Sequence, residues 1–249
     1  ELHPQKPNAK QGQHYYTKAM TALAHIQSTQ LSLPAYDSVL LQNEMALFKD
    51  WLIEAKLGLE LSAQESKDLN DCLFLLEQRA LAQEQVTVHR DFHARNIMIW
   101  DDDSLGIIDF QAAVQGPVTY DLVSLLRDCY IVWPAELVSE WCHEFYQLLI
   151  KQSPELVQGL GGFKRFKEDF DLMGLQRHLK VAGIFARLSL RDEKHAYLTD
   201  IPRTLEYILS VSKALIADPS NKFQVLTSLV SLIEQRVLPL TKHRVFLEP

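Results

Sequence analysis

The sequence predicts an α+β fold that is mostly helical, with one small β-hairpin near position 100. Three observations carry this. Apolar residues recur every three or four positions over most of the chain. The stretch from Val86 to Phe110 breaks that rhythm with short β-branched and apolar runs around an acidic turn. Only 9 of the 249 residues are glycine, which suits helices and leaves few places for a glycine-rich phosphate loop.

In chain order, Glu1–Gln13 holds Pro4 and Pro7 without periodicity and is expected to be an exposed lead-in. Tyr16, Ala19, Met20, Leu23, Ile26 and Gln27 predict the first helix. Leu41, Met45, Phe48 and Leu52 predict a second, with Gly58 placed to end it. Ser62 and Glu65 form a capping-box pattern ahead of Leu69, Leu73, Leu76 and Ala80. Val86-Thr87-Val88 is a short strand candidate. Asn96–Trp100 and Leu105–Phe110 predict a hairpin closed by Asp101-Asp102-Asp103-Ser104. That acidic triplet reads as a solvated turn rather than a metal site.

After Gly116-Pro117 helices resume. Pro134 starts one through Leu137, Trp141, Phe145 and Leu148, whose aromatic residues read as core. Gly159-Leu160-Gly161-Gly162 follows no strand and predicts a helix-to-helix turn rather than a phosphate loop. Glu168–Leu190 reads as one long helix, Pro202 opens another, and Leu226, Leu229, Ile233 and Val237 mark the last.

Composition sets bounds. Hydrophobic residues make up 47% and charged residues 23%, which excludes whole-chain disorder. Lys and Arg total 25 against 32 Asp and Glu, a formal net charge of −7. That balance argues against a nucleic-acid or anionic-membrane partner recognised by bulk charge. No apolar run reaches the ~18 residues a membrane helix needs, and the polar opening lacks the pattern of a signal peptide. Cys72, Cys129 and Cys142 are odd in number and sit in apolar stretches without a CxxC pair, so they read as buried thiols of a cytoplasmic protein.

Chemistry concentrates at His89-Arg90-Asp91-Phe92-His93-Ala94-Arg95-Asn96 and, thirteen residues after Asn96, at Asp109 inside Ile107-Ile108-Asp109-Phe110-Gln111. A carboxylate at the end of an apolar strand needs a reason, because burying an unpaired charge is costly. Phosphoryl transfer supplies one. It needs a carboxylate to accept the attacking hydroxyl's proton and oxygen ligands to hold Mg²⁺ on the ATP phosphates. The hairpin would set Asn96 and Asp109 across from one another. A zinc reading of His89 and His93, four apart, lacks a third ligand.

These motifs resemble the catalytic loop and metal-binding segment shared by protein kinases and aminoglycoside phosphotransferases. The resemblance implies a protein-kinase-like fold of which this chain is the mostly helical carboxy-terminal lobe. It implies ATP and Mg²⁺ as cofactors, Asp91 as catalytic base, Asn96 and Asp109 as metal ligands, and His89 bracing the loop. Met98 and Ile108 would lie beneath the adenine. No Ala-Pro-Glu motif and no long activation segment follow Asp109. Instead Gly116-Pro117-Val118-Thr119-Tyr120-Asp121-Leu122 is similar to the small-molecule branch, and Asp121 is expected to be a buried structural carboxylate hydrogen-bonded to the catalytic loop rather than a residue with a direct role.

With Met173 to Leu188, these segments look like bacterial anomeric amino-sugar kinases of peptidoglycan recycling. Such enzymes phosphorylate C1 of N-acetylmuramate and N-acetylglucosamine. The likeness runs from about His89 to Tyr207. It implies a small amino-sugar as the binding partner, with no nucleic acid and no membrane. Candidate substrate residues are Arg95, Arg127, Asp128 and Arg177. Each has a plainer reading: loop bracing for Arg95, an ion pair at a helix end for Arg127 and Asp128, and a solvated face for Gln176, Arg177, His178 and Lys180.

One departure from the family pattern is plain. No glycine-rich loop and no strand lysine precede His89, so an amino-terminal β lobe is not evident. The expected organisation is one lobe over 1–249, with the lead-in at 1–13, the catalytic loop and metal-binding hairpin at 86–111, and a helical substrate subdomain at 117–249. Two rivals stand beside the amino-sugar kinase: another small-molecule kinase acting on an aminoglycoside, choline or a different sugar, and a non-catalytic kinase-like binding module.

Overall fold

The computed structural model describes residues 9–29, 31–241 and 246. The chain divides into two compact units. The first takes residues up to Tyr36 and Leu81–Phe170; the second takes Asp37–Ala80 and Asp171–Pro249. Each unit draws on two distant stretches, which no local composition shift announces.

The first unit begins with helix α1 (Ala9–Ser28). The helix thus starts inside the stretch expected to be an exposed lead-in, while residues 1–8 lie outside the described residues. Gln13 explains the difference: its Oε1 accepts a hydrogen bond from Trp141 Nε1 at 2.5 Å. Gly12 lies so close to Trp133 that a Cβ there would come within 2.2 Å of the indole. A polar surface pattern hid an end that is pinned by tertiary contact.

Strand β1 (Gln85–Val88) follows, then β2 (Ile97–Ile99) and β3 (Leu105–Ile107), which pair as the expected hairpin. The Asp101–Ser104 turn is as expected too. Ser104 donates from its amide and hydroxyl to Asp102 Oδ1 at 3.0 and 2.6 Å. Asp103 takes φ +64 at the tip and accepts from Lys18 and His14 of α1. The lysine contact, with the histidine behind it, holds the Asp103 carboxyl below its usual range.

A second two-stranded sheet was not expected. Strand β4 (Val114–Pro117) pairs antiparallel with β1, Val88 opposite Val114 and Gln85 opposite Pro117. The Gly-Pro pair read as punctuation because both residues usually break strands. Here glycine suits a tight approach. A Cβ on Gly116 would lie 3.0 Å from Tyr36 Cβ and 3.3 Å from Val88 Cγ2.

Helices α4 (Tyr120–Leu126), α5 (Ala135–Gln152) and the short α6 (Val157–Leu160) complete this unit, with the first residues of α7 (Gly162–Asp192). Gly161 and Gly162 take φ +64 and +82 between α6 and α7, the expected helix-to-helix turn. Trp141 is fully buried, with Tyr16 stacked on it at 4.6 Å and Trp133 edge-on.

The second unit holds α2 (Ser38–Leu47), which continues as a π-helical stretch to Lys56, and α3 (Ala63–Leu81) through Ala80. It also holds the rest of α7, α8 (Ile201–Ile216), α9 (Leu226–Leu232) and α10 (Leu238–Thr241). The capping box forms: Glu65 N–H donates to Ser62 Oγ at 3.2 Å, and Ser62 N–H to Glu65 Oε2 at 2.8 Å. Leu41, Phe48, Leu52, Ile208 and Phe223 are buried in its core. Apart from Ala35, which forms a single bridge to Gln115, the described residues ahead of β1 contain no strand. No helix among the described residues is long and apolar enough to cross a membrane.

Candidate active site

Strand β1 delivers the loop. Val86 and Val88 are buried, and the chain leaves the strand at His89, itself 3% exposed. Phe92 is fully buried two residues past Arg90, and its ring meets His89 edge-on at 5.9 Å. Burying residues 89 and 92 leaves Asp91 between them, half-buried. The sharp turn this requires puts Arg90 at φ +75, a conformation that costs about 1–2 kcal/mol for a residue with a Cβ.

Asp121 holds that turn. It is fully buried at the start of α4, and its two oxygens accept the His89 and Arg90 amides at 2.6 and 3.0 Å. The sequence expectation for Asp121 is thus met in atomic terms. His89 Nδ1 accepts from the Asp91 amide at 3.3 Å, so the ring proton of the neutral form sits on Nε2. Burial lowers the His89 pKa and keeps the ring neutral, against the opposing pull of the Asp91 and Asp109 carboxylates.

The loop closes through Asn96. Its backbone amide donates to the His93 carbonyl at 2.9 Å, and its Nδ2 to the Asp91 carbonyl at 3.0 Å. The Ile108 amide donates to the Asn96 carbonyl at 3.1 Å, which sets residues 96 and 108 opposite one another at one end of the hairpin. Asp109 comes next, exposed, at φ +71, with Gln111 Nε2 on its Oδ1 at 2.7 Å.

The donor set fits a small hard cation. The Asn96 amide group is used on the loop, which leaves its carbonyl oxygen, and Asp109 keeps Oδ2 beside the oxygen that Gln111 occupies. The register also gives Met98 and Ile108 the same face as Asn96, both about half exposed. Among the described residues no group of three His, Cys, Asp or Glu side chains could hold a metal, so His89 and His93 gain no zinc partner.

A second brace was not foreseen. Asp128 is 1% exposed, and its Oδ2 accepts the Ala94 amide at 3.1 Å while Oδ1 accepts the Tyr130 amide at 2.8 Å. Tyr130 then carries the Arg95 guanidinium over its ring at 3.5 Å, with His93 edge-on at 5.6 Å. Asp128 was a substrate candidate; its oxygens are engaged in holding the loop. Nothing in the residue spacing could have shown this, because the partners are backbone amides.

The remaining candidates are placed as follows. Arg127 is 8% exposed just past α4, its guanidinium over Phe170 at 4.5 Å. Arg177 belongs to the second unit and is 6% exposed. Its neighbours form no solvated face. Gln176 and His178 are fully buried, Lys180 pairs with the buried Glu44 at 2.7 Å, and His178 stacks on Tyr207 at 5.0 Å.

Comparison with known proteins gives this geometry a family. The pattern of the phosphotransferase enzyme family matches residues 2–155. N-acetylmuramate/N-acetylglucosamine kinases are similar in sequence. The Pseudomonas putida protein is 39% identical over 206 residues, covering 82% of this chain and 60% of the relative. That of Neisseria meningitidis is 41% identical over 181 residues, covering 73% and 53%. The chain thus matches roughly half to three fifths of these relatives' length. In fold it is similar to a Cryptosporidium parvum choline kinase, with TM-score 0.55 and 12% identity over 90% of this chain and 74% of that one. A Plasmodium vivax ethanolamine kinase gives TM-score 0.53 and 13% identity, over 79% and 58%. A loop with a half-buried carboxylate between two buried anchors, a hairpin with Asn96 and Asp109 near one end, and a family pattern that spans both lead to one conclusion: the chain belongs to the phosphotransferase enzyme family.

Proposed function

We propose that the protein transfers the terminal phosphoryl group of ATP, with Mg²⁺, to the anomeric hydroxyl of N-acetylmuramate and N-acetylglucosamine, giving the sugar 1-phosphates of cell-wall recycling. The observation that carries this is the loop itself. Asp91 sits half-buried between two buried anchors, and the Asn96 side chain closes on its carbonyl. The names of the relatives at 38–41% identity supply the acceptor class. An ATP donor is in keeping with a cytoplasmic site of action.

In this reading Asp91 accepts the proton of the attacking C1 hydroxyl. Neutral His89, buried and accepting the Asp91 amide, keeps the backbone of the base in place. Asn96 Oδ1 and Asp109 would hold Mg²⁺, which when bound supplies charge neutralisation on the phosphates. Met98 and Ile108, half-exposed on the hairpin, offer the apolar floor for the adenine ring.

The test is ADP release by the protein as its gene encodes it, with N-acetylmuramate, N-acetylglucosamine, choline and an aminoglycoside as acceptors. Release with the two N-acetyl sugars alone, and a product that is no longer a reducing sugar, is expected. Asp91→Asn should lower kcat by about 10²–10⁴-fold with an unchanged unfolding midpoint. Near-normal turnover in that variant removes Asp91 from the role of base.

A further inference from the structure

The two sugars differ in one group. N-acetylmuramate carries a lactyl ether on O3 that ends in a carboxylate, where N-acetylglucosamine has a hydroxyl. Telling them apart requires a cation that the incoming anion can reach. Three arginines were candidates from the sequence. Arg127 and Arg177 are 8% and 6% exposed, whereas Arg95 is exposed. Among the described residues no carboxylate pairs with Arg95, and its guanidinium rests on the face of Tyr130.

That contact fixes more than position. The central guanidinium carbon lies 3.5 Å from the Tyr130 ring centroid. An upright guanidinium would push a nitrogen about 1.3 Å nearer the ring, inside van der Waals contact. The group therefore lies flat, with its N–H edges directed sideways, the fork that matches a carboxylate. The platform is fixed in turn. One carboxylate, Asp128, holds both the Tyr130 amide and the amide of Ala94, the residue before Arg95. A side chain already ordered on such a support gives up little further freedom when it binds. Arg95 is also four residues beyond Asp91 and adjacent to Asn96, in the loop assigned to the reacting groups.

We propose that Arg95, laid flat on Tyr130, receives the lactyl carboxylate of N-acetylmuramate and sets the preference between the two sugars. This rests on the amino-sugar kinase reading above. The competing role for an exposed arginine in this loop is contact with the phosphates, which both sugars share.

The experiment measures kcat/KM for both sugars in the wild-type protein, Arg95→Ala, Arg95→Lys and Tyr130→Leu. It also measures the neutral methyl ester of N-acetylmuramate on the wild type. In Arg95→Ala the ratio of kcat/KM for N-acetylmuramate over N-acetylglucosamine should fall about 10- to 100-fold, the range of a charge-assisted hydrogen-bonded pair. Arg95→Lys, which keeps charge without the fork, and Tyr130→Leu, which removes the platform, should fall less. The ester should lose the preference on the unaltered protein, an arm that no folding defect can mimic. An equal fall for both sugars in Arg95→Ala assigns the residue to the phosphates and overturns the proposal. An unchanged ratio in Arg95→Ala, or an ester as good as the acid, also overturns it. A wild-type protein that phosphorylates neither sugar overturns the kinase reading as well, so the two failures are distinct.

Discussion

Asp121 has no exposed atom, and its two oxygens are spent on the amides of His89 and Arg90. That makes it the residue on which the loop conformation turns, since Arg90 sits at φ +75 and does not stay there unaided. Asp121→Asn replaces one acceptor with an NH₂ group that faces a backbone N–H. Hydrogen bonds to a charged partner contribute about 1.5–3 kcal/mol each, and an orphaned buried donor costs a similar amount. We expect a loss of about 2–4 kcal/mol in urea unfolding, with kcat falling because Asp91 is displaced. A variant within ~0.5 kcal/mol of wild type would show that the turn is held by other contacts. At this scale the sequence was informative where chemistry dictates residue type. Identity and spacing single out His89, Asp91, Asn96 and Asp109 as candidates, and the bracing role of Asp121 was legible from the motif around it. The bracing role of Asp128 and the part of Tyr130 were not, because a carboxylate that serves backbone amides and an aromatic ring that carries an arginine leave no periodic trace.

Between elements, α7 comes close to the end of α2 at Gly183 in the second unit. A Cβ on Gly183 would meet the Leu47 backbone carbonyl carbon at 2.3 Å and its oxygen at 2.4 Å. Those are main-chain atoms, so one helix has to move. Gly183→Ala gains up to ~1 kcal/mol of helix propensity but overpacks a contact at a cost of about 1–3 kcal/mol. The clash should win, and the melting temperature should drop by a few degrees. A rise would mean that the helices have room to part. Legibility at this scale follows the same logic as that glycine. The hairpin and the Ser62–Glu65 cap were readable because their signals are local. Strand β4 was not, because Gly116 is there for Tyr36 and Val88, residues distant in sequence. The start of α1 was hidden for the same reason, its order coming from Trp133 and Trp141.

For the molecule as a whole, the two-unit division was illegible since each unit is assembled from separated stretches. Its response to acid, by contrast, follows from charges that can be named. Glu65 is held down to about 2, against a usual 4.5, first by its hydrogen bond from Arg236 and then by the Ser62 amide. Asp102, Asp103 and Asp192 are also lowered, by Ser104, Lys18 and Arg191 respectively. His89 is lowered from 6.5 by burial. In every case the unfolded chain takes up a proton before the folded one does, so stability falls as pH falls. The His89 contribution begins below about 6.5, and the carboxylates add theirs from about 4.5 downward, that of Glu65 continuing to about 2. One effect has the opposite sign. A chain of net charge −7 loses self-repulsion as it is titrated toward neutrality, which favours the compact state. That gain is spread thinly over the surface, whereas the named groups act at fixed sites, so the specific terms should prevail. The urea midpoint should decline between pH 6.5 and 4.5 and more steeply below. Glu65→Gln should flatten the lower part and His89→Asn the upper part. A midpoint that rises as pH drops from 6.5 to 4.5 would give the result to bulk charge.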